Sequence, residues 1–204
     1  MKMLLFDANN TLLNDFFLWK ESIDTVFRHF GKIPLPVNEY VRALVTGDYV
    51  SLYHSYGINA NKKELNRIFI PTYRKKIDQI GLAPGVEEIL EWLSQKGIIL
   101  GIITGSLANL VNPILKKHDV IRFLTHKEFD IFDKEASIIE LAKTSSINIA
   151  ECGYLGDLPL DINAANAVGA VSIAYLNGNI DEKIVLRAEP KHSIRHMSEL
   201  RSLF

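Results

Sequence analysis

Apolar and polar positions fall into two rhythms along this chain. Met3-Leu4-Leu5-Phe6 is an unbroken apolar run closed by Asp7 and a cluster of small polar residues, the pattern of a central strand covered on both faces and ending in a polar loop. From residue 16 the period lengthens. Phe16, Trp19, Ile23, Phe27 and Phe30 recur at three- and four-residue steps and predict one amphipathic helix, stopped by Gly31. After Pro34 and Pro36, the positions Tyr40, Val41, Leu44, Val45, Val50, Leu52 and Tyr53 predict one long or two short helices ending near Gly57. A third helix is expected from about Lys62 to Ile80, with Leu65, Ile68, Phe69, Tyr73 and Ile77 on its apolar face and Pro71 kinking or splitting it. Residues 15–80 therefore read as an all-helical block, and its aromatic stripes as core packing.

Beyond Leu82 short apolar runs alternate with helical patterns. Pro84 and Gly85 introduce a helix through about Lys96, with Val86, Ile89, Leu90 and Leu93 on its buried face and Gly97 at its end. The run from Ile98 to Ile103 predicts a strand, followed by the turn Thr104-Gly105-Ser106 and a helix carrying Leu107, Leu110, Val111, Ile114 and Leu115. A short strand is expected around Arg122 to Thr125, then a helix after Lys134. A strand at Cys152–Leu155, a helix holding Ile162, Ala165 and Val168, a strand at Val171–Tyr175 and an edge strand at His192–Ile194 precede a C-terminal helix. Strands alternating with helices imply right-handed crossovers. The fold class expected is α/β, a doubly wound parallel sheet formed by residues 1–14 and 81–204, with residues 15–80 inserted as a helical cap over the carboxyl ends of the strands.

Composition narrows the partners. The 204 residues suffice for one domain and an insertion, and a formal net charge of -1 without a long basic block argues against nucleic acid and anionic membrane. A small-molecule partner is expected instead. Cys152 is the only cysteine, so no intrachain disulfide can form; with no secretory pattern at the N-terminus, a cytoplasmic location is expected. The longest apolar runs fall far short of the roughly 20 residues needed to span a bilayer.

Four loops carry polar residues that could converge on one site: Asp7, Thr104 to Ser106, Lys134, and Gly156-Asp157-Leu158-Pro159-Leu160-Asp161. Each has a plainer reading. Asp7 could be a turn residue, Thr104 or Ser106 a helix cap, Lys134 a solvated helix start, and Asp161 a satisfied carboxylate in a first helical turn. In this order on one sheet, however, the sequence resembles the haloacid dehalogenase (HAD) superfamily, specifically its phosphoglycolate phosphatase-like members with a helical C1-type cap. Phe-Asp-Ala-Asn-Asn-Thr-Leu at 6–12 is similar to the first motif, Ile-Ile-Thr-Gly-Ser at 102–106 to the second, and Lys134 to the third, with Lys127 as a competitor. Tyr-Leu-Gly-Asp-Leu-Pro-Leu-Asp-Ile-Asn-Ala-Ala at 154–165 is similar to the fourth.

The resemblance implies a Rossmann-like core and a Mg2+-dependent hydrolysis of a small-molecule phosphate ester. Asp7 would attack phosphorus and become an aspartyl phosphate. Mg2+ would be held by the Asp7 carboxylate, the backbone carbonyl of Asn9 and Asp157, with Asp161 in support. The Thr104 hydroxyl, backbone N–H groups at Gly105 and Ser106, and the Lys134 ammonium would hold phosphoryl oxygens.

Two residues depart from the family pattern. Asn9 stands where the phosphatases carry the Asp that protonates the leaving group and activates water, a task an amide cannot perform. A slow phosphatase is therefore expected, with a non-hydrolysing phosphate- or metal-binding pseudoenzyme as the alternative. Asn10 replaces a glycine, and asparagine is the next residue most tolerant of positive φ. His29, His54, His118 and His126 lack metal-ligand spacing, and no Gly-x-Gly-x-x-Gly or phosphate-loop motif occurs. A dehalogenase would leave Asp157 without a task, and a phosphonate hydrolase would need a cap lysine that no motif places.

Overall fold

The computed structural model describes residues 1–44 and 48–204; Val45, counted above with a helical face, lies outside them. The chain divides into two compact units, residues 1–14 with 81–204, and residues 15–80.

The larger unit contains strands β1 (Met3–Phe6), β2 (Leu13–Asn14), β3 (Gly81–Leu82), β4 (Ile99–Thr104), β5 (His126–Phe129), β6 (Cys152–Gly156), β7 (Val171–Tyr175) and β8 (His192–Ile194). Six of them form one parallel sheet in the order β5-β4-β1-β6-β7-β8, and β2 and β3 make a small antiparallel pair. β1 is fully buried between β4 and β6, with Met3 opposite Ile99 on one side and Cys152 on the other. The connections run outward from β1 in both directions, so the loop after β1 opens at the reversal of strand order, where such sheets present ligand sites.

Helices α5 (Val86–Gln95), α6 (Ala108–Lys117), α7 (Lys134–Thr144), α8 (Pro159–Val168) and the short α9 (Glu182–Leu186) flank the sheet. Their ends follow local chemistry. Asp133 caps α7 by accepting from the Ala136 N–H at 3.0 Å; α8 starts on Pro159 and stops at Gly169, which takes φ 78°. One part of the core joins Met3, Leu5, Ile103, Ile138, Tyr154 and Ala165, side chains from strand interiors and helix faces.

Two expectations fail in this unit. Residues 121–123 form a 3-10 turn, and the strand lies later, at His126–Phe129. This is an edge strand with partly exposed polar residues, so the apolar run that marks a covered strand is missing. The expected C-terminal helix is a 3-10 helix, Met197–Leu203, with Met197 and Leu200 buried at its i, i+3 spacing.

The smaller unit is helical: α1 (Phe16–His29), α2 (Val37–Leu44), α3 (Tyr49–Ser55) and α4 (Lys62–Arg74). α2 and α3 are separate, and Asp48 starts α3 by accepting from the Val50 and Ser51 N–H groups. Pro71 does not split the helix, which runs on through it to Arg74. It removes a single ladder donor, and Lys75 N still donates to the Pro71 carbonyl. α4 ends at Arg74 rather than near residue 80, followed by a 3-10 turn at Ile77–Gln79. Buried Asp15, before α1, accepts from the Tyr73 hydroxyl of α4 at 2.5 Å and ties the two helices together. Among the described residues, no helix is long and apolar enough to cross a membrane.

Candidate active site

The polar residues of the larger unit meet at the carboxyl ends of β1, β4 and β6. Asp7 follows β1 directly, and its N–H donates to the Leu155 carbonyl of β6 at 2.9 Å, which fixes its height beside Gly156 and Asp157. Thr104 is the last residue of β4. The loop after β5 hangs on the loop after β4, through Asp130 N to the Ser106 carbonyl at 2.9 Å and Ile131 N to the Thr104 carbonyl at 3.0 Å. That attachment carries the start of α7, and with it Lys134, inward.

Lys134 is 7% exposed, and its Nζ donates to Asp7 Oδ1 at 2.8 Å and Asp161 Oδ1 at 2.5 Å. Its ammonium also lies 5.4 Å from the ring centroid of Tyr154, whose hydroxyl is fixed on the Ile103 carbonyl. Burial alone would pull the Lys134 ammonium down, but the Asp161 and Asp7 carboxylates outweigh it and hold it well above the ordinary lysine range. The competitor Lys127 turns away and donates to the Leu124 carbonyl.

Asp157 is 3% exposed and held through both oxygens: Oδ2 accepts from Asn10 Nδ2 at 2.5 Å and Oδ1 from Thr11 Oγ1 at 3.1 Å. Burial, reinforced by the charges of Asp161 and Asp7, pushes its carboxyl well above the ordinary carboxylate range despite these two donors. Asp161 occupies the first turn of α8, where Oδ2 accepts from the Leu158 N–H at 3.0 Å while Oδ1 meets Lys134. Both its oxygens are engaged by protein donors, one of them the Lys134 ammonium. A Cβ on Gly156 would collide with the Asp161 carboxyl, and glycine is what lets β6 pass so closely.

The second cluster lies around Asn9, whose Oδ1 accepts from Ser106 Oγ; the Ser106 N–H reaches Thr104 Oγ1 at 3.3 Å. Neither hydroxyl caps α6, whose N-cap position is Leu107, so the capping alternative is not realised. Gly105, in the same turn, sits against Phe132, where a Cβ would lie 3.3 Å from the ring. His54 and His126 are engaged away from these residues, by the Ala60 carbonyl and the Ser145 hydroxyl.

Asn10, Thr11, Asn177 and Asn179 take structural parts that the sequence reading did not assign. Asn10 Oδ1 accepts from Asn179 Nδ2 and its carbonyl from Asn177 Nδ2, each at 2.6 Å. The available signal was position: Asn177 and Asn179 lie just past the carboxyl end of β7, next to the strand that carries Asp157.

Asp7 and Asp161 share the buried Lys134 ammonium, and the buried Asp157 carboxyl feels the negative charge of both, so ionised carboxylates outnumber that cation here. A divalent cation suits such an excess of carboxylate. Among the described residues no group of three or more His, Cys, Asp or Glu forms a metal cage. Mg2+ does not require one, since it is commonly bound by one or two carboxylates and keeps several waters. Asp7 and Asp157, at the ends of neighbouring strands, are hard oxygen donors of the kind that would suit it.

Residues 4–175 match the haloacid dehalogenase-like hydrolase family. The chain belongs to that family. The chain is similar to a phosphoglycolate phosphatase of Pseudomonas syringae pv. syringae, 25% identical over 217 residues that cover 98% of this chain and 78% of the relative. Another, from Xanthomonas campestris pv. campestris, is 28% identical over 189 residues, covering 87% and 84%. Among solved structures, a hydrolase from Pseudomonas syringae superposes with a TM-score of 0.80 at 20% identity, covering 99% of this chain and 96% of that one. A haloacid dehalogenase-like family hydrolase from Streptococcus pneumoniae gives 0.79 at 19% identity, covering 100% and 98%. These structures share the fold, and the family makes this protein a hydrolase.

Proposed function

We propose that this protein is a Mg2+-dependent phosphomonoesterase acting in the cytoplasm on a small metabolite phosphate, with Asp7 as nucleophile. The observation that carries the reading is the placement of Asp7 and Asp157 at the ends of neighbouring parallel strands, with Lys134 Nζ 2.8 Å from the Asp7 carboxylate. A carboxylate nucleophile beside a fixed cation and a second carboxylate suits phosphoryl transfer, in which positioning and charge neutralisation do most of the work. In the first step an Asp7 oxygen bonds to phosphorus, the ester P–O bond breaks and the leaving alkoxide takes a proton from water. In the second, water attacks phosphorus, the P–O bond to Asp7 breaks, and inorganic phosphate and a proton depart to solvent, restoring the carboxylate.

Lys134 tempers repulsion among the carboxylates and, with the Thr104 hydroxyl and the N–H groups of Gly105 and Ser106, is assigned to the phosphoryl oxygens. Mg2+, held by Asp7, the Asn9 carbonyl and Asp157 with Asp161 in support, would supply charge neutralisation at those oxygens. Residues 15–80 are assigned as the cap that sets substrate choice. The relatives' name makes phosphoglycolate the first ester to try.

Asn9 supports a slow enzyme. Its side chain is an amide fixed by Ser106 and cannot relay protons in either step. The same observation favours the second reading, a pseudoenzyme that binds phosphate and metal without turnover. Phosphate release from phosphoglycolate, sugar phosphates, nucleotides and an aryl phosphate, with Mg2+ and with chelator, separates them. Multiple Mg2+-dependent turnovers that vanish in Asp7→Asn support the enzyme; Mg2+-dependent binding with no turnover above that control supports the pseudoenzyme.

A further inference from the structure

Asn10 is nearly buried and sits at φ 55°, a conformation that glycine takes at least cost and asparagine next. Its polar atoms reach two different loops. Nδ2 donates to Asp157 Oδ2 at 2.5 Å, Oδ1 accepts from Asn179 Nδ2 at 2.6 Å, and the carbonyl accepts from Asn177 Nδ2 at 2.6 Å. The loop after β7 is closed on itself by Asn179 N donating to Asn177 Oδ1 at 3.1 Å. The observed directions suit an Asp157 that has given up its proton to ligate, because an ionised carboxylate only accepts: Asn10 turns Nδ2 toward it and Oδ1 toward Asn179.

We propose that Asn10 is a positioning residue for Asp157, anchored in turn by Asn177 and Asn179, and that this clamp sets the affinity for Mg2+. The inference rests on the metal site proposed above. Thr11 holds Asp157 Oδ1 and Asn10 holds Oδ2, so together they fix the plane of the carboxylate. A glycine at position 10 keeps the backbone bond from Asn177 but removes the donor to Oδ2, and the carboxylate can then turn about its last side-chain torsion. Outer partners that orient a metal ligand are commonly worth about 10- to 100-fold in affinity.

The test is Mg2+ binding by calorimetry to the full chain and to Asn10→Gly, Asn179→Ala, the double variant and Asp157→Asn, each with a metal-free melting curve. Asn10→Gly is expected to weaken Mg2+ by about 10-fold or more, and Asn179→Ala by a smaller factor. The double variant should match Asn10→Gly, because both changes act through one amide. A purely structural role would instead lower the metal-free melting temperature and leave the affinity of the folded protein unchanged. Affinity within two-fold of the unaltered chain in Asn10→Gly, or losses that multiply in the double variant, would overturn the inference. Where Asn10→Gly fails to fold, Asn179→Ala decides: weaker binding supports the clamp and unchanged binding overturns it. If the unaltered chain binds no Mg2+, or Asp157→Asn binds as well as it does, the metal site falls and the clamp with it. Metal binding that depends on Asp157 but not on Asn10 removes the clamp alone.

Discussion

Replacing Asn9 by Asp is the sharpest test of the chemistry, because the change is nearly isosteric and its surroundings are defined. The Ser106 hydroxyl already donates to Asn9 Oδ1, so a carboxylate there inherits an orienting partner, and the bond becomes charge-assisted. What changes is proton transfer. The new group can protonate the departing alcohol and later take a proton from water, a contribution of about 100- to 10,000-fold. That corresponds to roughly 2.7 to 5.4 kcal/mol off the barrier at about 1.36 kcal/mol per tenfold. The cost is a fourth carboxylate near Asp7, Asp157 and Asp161, so the metal-free variant should melt at a lower temperature and recover on adding Mg2+. Steady-state phosphate release with Asn9→Asp beside the unaltered chain gives the ratio. Rate against pH should gain a limb that the unaltered protein lacks. A ratio below about threefold, in a variant that folds and binds Mg2+, would refute the argument that the missing proton relay limits this enzyme.

Other outcomes follow from the same geometry. Lys134→Ala leaves the Asp7 and Asp161 carboxylates buried without their cation and should destabilise the fold by about 3–5 kcal/mol in chemical denaturation, whereas Lys134→Arg should recover part of this. Mg2+ affinity should rise with pH, because the raised carboxyl of Asp157 must release a proton before it can ligate; calorimetry in buffers of different ionisation heat would detect that proton. In the metal-free protein the sign for stability is opposite. The folded state holds this proton more tightly than the unfolded chain, so the group contributes stability that is complete below its ordinary value of 3.8 and lost as pH rises through the raised one. Denaturant midpoints against pH, compared with Asp157→Asn, isolate that contribution. Gly156→Ala should displace Asp161 from Lys134 and lower both the melting temperature and turnover; normal values for both would contradict the close passage at β6.

Legibility in the sequence followed burial. The runs at Met3–Phe6, Ile99–Thr104 and Val171–Tyr175 could be read because covered strands must be apolar throughout, and α1 because its buried stripe repeats at helical steps. β5 was misplaced because an edge strand carries His126, Lys127 and Glu128, which no apolar pattern marks. Asp7, Asn9, Thr104, Ser106, Lys134, Asp157 and Asp161 could all be named from spacing and resemblance, and their side chains fall into the contacts described above. The partition among the carboxylates was not readable. Asp161 turns to Lys134, and Asp157 to Asn10 and Thr11, because β6 and α8 set their directions in space. Asn177 and Asn179 look like an ordinary turn in sequence, and only the adjacency of β7 to β6 and β1 gives them a role.

The central place of β1 also has a consequence for biosynthesis. Residues 3–6 are translated long before either of their two neighbours, residues 99–102 and 152–155, so the strand has no hydrogen-bonding partner in the sheet until about a hundred further residues have been made. The contacts between α1 and α4, by contrast, close within residues 16–74. Long loops close slowly and local contacts quickly. Asp7 is thus made well before the strand that fixes its height, and a nascent chain stopped before β6 has no Asp157 to set beside it.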